Sequence, residues 1–508
     1  MASPFHEKIG TNYHPLDSEI AQIKELLVHP RAEIKRLDGE IAQLRIQRHE
    51  FKEYVAGHKA LISPIRRLPP DVLREVFLAC VPPRENAVMS AREAPLLLGH
   101  ICSVWRTIAL STPRLWSSIH IAEPHPDLAP SFYDGCLRLV TTWLRRSGAL
   151  PLSISFHRPT FREESPFFDA IAAFSPRWKH ISLSGQSRVM LSREDVPLLE
   201  TIKISDYSVA DNVAEAKRQD FLGGACVREV FLGTEIDPLQ LPLPWSQLTT
   251  LTLARLNNAY ARRARQLSSS AALRILANCH SLRECVLFLT HEPDELLDLP
   301  SSVEVPSLAS LKLSLDVFAI PAHQNPLDRL QLPQLASFIV HGRHQPTIFP
   351  FLTLLSTAKM LKNIEIETLM FTAETLVAFL QRLPPSVQRL SMRQNVIDPE
   401  TRSLVDNEIL HLLAPSSPSE SCLLPVLDTF TISYASSFSD DDLLRFIRVR
   451  MAIHPLRQVT VRFFRLEETK ILPELESIMD DFGLVVSLDY LTTSSTWNPR
   501  DGSVILFS

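Results

Sequence analysis

The chain has 508 residues, with 52 Lys and Arg against 57 Asp and Glu, a formal net charge of −5. Such a length exceeds one ordinary core and predicts several domains or a repeat array. The acidic balance excludes nucleic acid as a main partner, because phosphate binding needs clustered cations, and no apolar run approaches the roughly 18 residues of a membrane span.

Residues 1–14 lack the apolar core of a signal peptide and read as a disordered lead, while the closing VILFS carries no prenylation cysteine. The 7 cysteines are scattered and odd in number, which suits reduced thiols in the cytoplasm or nucleus. Glycine is scarce at 13 residues and proline abundant at 38. No GxGxxG or Walker-type string is present to cradle a phosphate, and no cofactor is expected.

Residues 15–62 form the first predicted element. A 3-4 spacing links Ile20, Ile23, Leu27, Pro30, Ile34, Leu37, Ile41, Leu44, Arg48, Phe51, Val55, His58 and Ile62, and all but Pro30, Arg48 and His58 are apolar. Charged residues fill the other faces, which is heptad patterning. Pro30 removes a helical hydrogen bond, so the helix is predicted to start there and to end near Ala60. Two readings stay open: a coiled coil that makes a homodimer, and a helix folded back on its own neighbours.

The next module spans 63–112. Leu68-Pro69-Pro70-Asp71 is a helix start, since proline suits the first turn and an acid suits the positive N-terminal end. Val72, Leu73, Val76 and Phe77 follow on one stripe, and Ile101, Val104, Trp105 and Ile108 make a second before the Ser-Thr-Pro stop at 111–113. Together IRRLPPDVLREVF and CSVWRTIALSTPRLW resemble the F-box, the adaptor-binding module of SCF-type ubiquitin ligases, with a longer insert than usual at 82–95. The SPIRRLPP junction with the preceding helix is similar to that of many fungal F-box proteins. The resemblance implies a small all-α module that contacts the adaptor subunit, and through it a cullin. The contacts implied are Ile65, Leu68, Pro69, Leu73, Val76 and Phe77, with Ile101, Val104 and Trp105 from the second segment. Some of these must also hold the small module together, and the stripes do not divide the two roles.

Between 113 and 177 the strand-like LWSSIHI and LPLSISF flank a helix at 133–148, and we read this stretch as linker and cap of a repeat array. From 178 to 508 an apolar-x-x-apolar-x-apolar motif recurs eleven times, from Trp178/Ile181/Leu183 to Leu456/Val459/Val461, at intervals of 21 to 40 residues. Pro176, Pro197, Pro306, Pro333, Pro385 and Pro425 each precede a motif by two residues and feed an extended strand. Helical patterns at 268–279, 350–361, 374–383 and 440–451 fill several gaps. The spacing resembles leucine-rich repeats, although the usual turn asparagine is missing except at Asn395. The expected fold is therefore α/β: an N-terminal helix, an F-box, and a degenerate leucine-rich-repeat-like solenoid. A parallel sheet of another α/β type is the alternative.

Catalytic patterns are absent: HExxH, GxSxG and CxxC do not occur, and no enzyme is expected. Cys279-His280 with Cys285 suggests a metal only weakly, because Cys285 holds an inward motif position. Strand alternation instead turns Thr252, Lys312, Ile339, Glu365, Ser391, Thr431 and Thr460 outward, flanked by Ser310, Asn363, Arg389, Arg393 and Arg462. This strip is the expected target-binding surface, and its late arginines suit an acidic or phosphorylated segment of an unknown target. The expected role is a substrate receptor of the ligase. The competing one is a coiled-coil and leucine-rich scaffold without ubiquitin transfer.

Overall fold

The computed structural model describes residues 3–125, 128–158, 165–185, 191–207, 220–234, 238–254, 267–289, 299–315, 326–342, 351–394, 404–415, 422–435, 437–490, 496–497 and 504–505. Asn395 lies outside them. The chain divides into two compact units, Met1–Val76 and Phe77–Ser508.

The first unit is dominated by helix α1 (Asp17–Leu61). Glu19 organises its start: the carboxylate accepts from the Leu16 N–H at 2.9 Å, from Tyr13 Oη at 2.8 Å and from Lys8 Nζ at 3.1 Å. These bonds, the Leu16 amide above all, hold its pKa down at about 2. The helix passes through Pro30 without a break, which corrects the start expected there. An internal proline forfeits one bond, that to the Leu26 carbonyl, which a helix of 45 residues tolerates. With 45 residues α1 is roughly 67 Å long at 1.5 Å per residue, and none of its residues is buried. A 3-10 turn, Pro64–Arg67, then leads to α2 (Pro70–Ala79), which begins at the predicted Pro-Pro-Asp and within which the two units divide.

The second unit opens with the end of α2, α3 (Leu98–Ile101) and α4 (Ser103–Leu110). Its body is one all-parallel sheet of fourteen strands whose spatial order follows the chain, the two-residue strands Val303–Glu304 and Leu330–Gln331 pairing with each other outside it. The strands of the sheet are β1 (Ser118–Ala122), β2 (Leu152–His157), β3 (Trp178–Ser184), β4 (Thr201–Tyr207), β5 (Glu229–Thr234), β6 (Thr250–Ala254) and β7 (Glu284–Leu289). The second half runs β8 (Ser310–Leu315), β9 (Ser337–Gly342), β10 (Asn363–Glu367), β11 (Arg389–Arg393), β12 (Thr429–Ala435), β13 (Gln458–Phe463) and β14 (Val485–Asp489). The order never reverses, whereas a doubly wound sheet turns back at a switch point.

Strands β3 to β13 coincide with the eleven motifs. Each motif's first apolar residue, from Trp178 to Leu456, is 0% exposed, and the inward row Ile154, Ile181, Ile202, Val230 continues in register to Val459. Helices fill the crossings. Pro130–Arg146, Ser269–Ala277, Leu352–Thr357, Ala373–Arg382 and Asp440–Ile453 were predicted; Pro166–Ala172, Asn407–Leu413 and Leu472–Phe482 were not. Local caps set their starts, as where Ser268 Oγ accepts from the Ala271 N–H at 3.1 Å and Ser439 Oγ from the Asp442 N–H at 3.1 Å. The acidic run 440–442 is thus a helix start, and Asp440 within it is fully buried. Strand β14 was missed because Gly483, in the left-handed region at φ 66°, takes the first motif position while ending the preceding helix.

The 82–95 insert has a definite task. Val88 bridges to His120 on the edge strand β1, and the His120 N–H donates to the Ala87 carbonyl at 2.7 Å. Asn86 reaches across the sheet: Nδ2 donates to Ser155 Oγ at 3.1 Å, and Oδ1 accepts from Ser118 and Ser153 at 2.9 and 2.7 Å. The insert therefore covers an edge that would otherwise present unpaired backbone groups. No described helix is long and apolar enough to cross a membrane.

Candidate functional site

Two surfaces carry the residues singled out by the sequence. On the first unit Pro69, Val72 and Val76 are exposed, Ile65 and Leu68 are half-buried, and Leu73 is buried. On the second unit Ile101 and Val104 are exposed by 54% and 59%, whereas Phe77 is fully buried and Trp105 half-buried. The Trp105 ring lies 4.8 Å from that of Phe77. Cys102 explains how α4 begins: its Sγ accepts from the Trp105 N–H at 3.5 Å, so the Cys and Trp of the C-x-x-W-R string belong to one cap. Burial thus separates roles that the stripes merge. Leu73 and Phe77, 4% and 0% exposed, are the members of the two stripes that hold the helices together. Pro69, Val76, Ile101 and Val104 keep apolar area in solvent.

The second surface is the outward face of the sheet. Thr252, Lys312, Ile339, Glu365, Ser391, Thr431 and Thr460 stand in one cross-strand row, with Val286 between Thr252 and Lys312. Ser310, Asn363 and Arg389 line one side of that row, and Arg393 and Arg462 the other. The charges are more balanced than the late arginines imply. Arg393 Nε lies 2.9 Å from Glu365 Oε1, His341 Nε2 also lies 2.9 Å from that oxygen, and Arg462 Nε lies 3.4 Å from Asp489. The bond from His341, aided by the nearby Arg393 and Lys312 charges, holds the Glu365 pKa below the ordinary value despite burial. Glu365 is therefore the hub of a mixed cluster, and Arg389 is the arginine of the strip with no carboxylate partner among the described residues.

The row also extends back through Phe231, Lys203, Ser182, Ser155 and His120, which the sequence reading left out. There the insert and the sheet enclose a polar groove of about 640 Å³, lined by Arg84, Asn86, His120, Ser155, His180, Lys203 and Glu229 among others. Thr201 Oγ1 donates to Glu229 Oε2 at 3.1 Å, so its lone pair accepts from His180 Nδ1 at 2.9 Å. Burial lowers the pKa of both His120 and His180. Carrying the motif back to Trp116/Ile119/Ile121 would have exposed this part of the row.

Cys279 and Cys285 are buried, and burial pushes the Cys279 thiol up to about 12, so neither is a ready thiolate ligand. Among the described residues no cluster of three metal-ligating side chains occurs. In comparisons with known proteins, no family model matches the chain and no curated protein matches it.

Proposed function

We propose that the chain is the substrate-recognition subunit of an SCF-type ubiquitin ligase, with 63–112 as the F-box for the adaptor and the sheet as a degenerate leucine-rich-repeat-like solenoid for the target. The strand order carries this reading. Fourteen parallel strands in chain order present one unbroken side-chain row, the extended binding surface that stacked repeats commonly use. Solvent-facing Val76, Ile101 and Val104 supply the second support, since apolar groups left outside short amphipathic helices fit a docking partner. The chain itself would do no chemistry. Holding a target beside the loaded enzyme replaces a bimolecular encounter with an effectively intramolecular one.

Co-purification of the adaptor tests the proposal. Leu68→Ala with Pro69→Ala is expected to abolish recovery of adaptor and cullin while the unfolding midpoint of the sheet stays unchanged. Adaptor recovery at the wild-type level would overturn the assignment. A scaffold without ubiquitin transfer is the second reading, favoured by the solvated apolar seam of α1, and it predicts that even the wild-type chain recovers neither subunit.

A further inference from the structure

Helix α1 keeps an apolar seam in solvent along most of its length: Leu27, Ile34, Leu44 and Phe51 are 38%, 59%, 62% and 70% exposed, and Ile62 just beyond its end is 71% exposed. A helix of this kind draws most of its stability from packing such a face, so the seam calls for an occupant. The charges beside the seam identify it. With Ile20 at position a of the first heptad, the g positions carry Glu19, Glu33 and Glu40 and no cation. The e positions carry Lys24, Arg31, Arg45, Lys52 and Lys59, with Asp38 as the one acid.

In an antiparallel pair g faces g and e faces e, which sets mostly cations against cations along one flank. In a parallel pair each g faces the e position five residues further along the other copy. That arrangement sets Glu19 against Lys24 and Glu40 against Arg45 on both flanks, with one like-charged pair, Glu33 against Asp38. We propose that α1 pairs with a second copy of this chain as a parallel, in-register, two-stranded coiled coil.

Arg48 at an a position supplies a polar layer, which costs stability and fixes register. Arg36 holds Glu33 and Glu40 from the same helix, using one carboxylate oxygen of Glu40 and leaving the other for the Arg45 of the second copy. The proposal does not depend on the ligase reading, and its test uses no adaptor.

Light scattering on the full chain at micromolar concentration is expected to give twice the chain mass of 57.4 kDa. Leu37→Glu with Leu44→Glu should return the monomer mass. Glu40→Lys and Arg45→Glu should each weaken self-association about tenfold, because each turns two attractive flank pairs into repulsive ones. Mixed one to one, these two variants should associate as tightly as wild type, since both flanks of the mixed pair again set opposite charges against each other at positions 40 and 45. Such complementation is specific to the parallel arrangement. A monomeric wild-type chain, a dimeric seam variant, or a mixture no tighter than its components would each overturn the proposal.

Discussion

The strands of the sheet and helix α1 both follow apolar periods, yet they stand at opposite extremes of burial. Inward residues such as Phe338 and Val459 are 0% exposed, while Phe51, at an equally regular seam position, is 70% exposed. A strand finds its cover in the next copy of the same motif along the chain, and eleven motifs bury one another in sequence. A heptad seam can be covered only by a second helix. Periodicity alone therefore predicts that a face is apolar, and the repeat count decides whether the chain supplies what covers it.

Phe338 and Phe51 are matched aromatics in the two settings. Phe338→Ala should cost roughly 3–5 kcal/mol in urea unfolding of the sheet, the usual loss for a buried aromatic. Phe51→Ala should leave that transition within about 0.5 kcal/mol. Equal losses from the two variants would mean that α1 is held as firmly as the strands.

Within the sheet unit, burial also holds a charged group, Asp440. Its carboxylate, 0% exposed, accepts from Arg465 at 2.8 Å, from the Glu468 and Thr469 N–H groups at 2.9 Å each, and from Tyr490 Oη at 3.0 Å. It ties a helix start to segments 25 to 50 residues away. Asp440→Asn should cost about 3 kcal/mol by leaving Arg465 without its buried partner. Burial pushes the Asp440 pKa up, but Arg465 and the two amides outweigh it and hold the pKa below the ordinary value. A carboxyl depressed in the folded state contributes fully above its unfolded pKa of about 4, and loses that contribution as pH falls through the lower folded value. The gap between wild type and Asp440→Asn should accordingly shrink below about pH 4. A gap that holds constant from neutral pH down through that range would show that the charge is not what stabilises.

Gly483 ends its helix in the left-handed region. An added Cβ there meets nothing within 4 Å, so Gly483→Ala tests backbone conformation alone and should cost about 1 kcal/mol. Gly185, at φ 87°, differs because its Cβ would lie 2.0 Å from the Arg158 carbonyl oxygen. Thermal unfolding should rank Gly185→Ala clearly below Gly483→Ala, and the reverse order would remove the steric argument.

Eleven of the strands were legible from local pattern. A six-residue motif is read from local alternation, and β3 to β13 fall on its eleven copies because burying alternate residues needs no knowledge of the neighbour. The first turn of α2 was legible for the same reason, since capping acts within four residues. What depends on partners far along the chain is fixed only once the sheet has formed. Arg393 is offset by Glu365 across a strand pair, Asn86 of the insert is fixed by serines 32 to 69 residues away, and Leu73 and Phe77 turn inward while Val76 stays out. Such contacts have no signature in spacing, because a charge or an amide at a given position is compatible with many partners. Only the register of the sheet selects one.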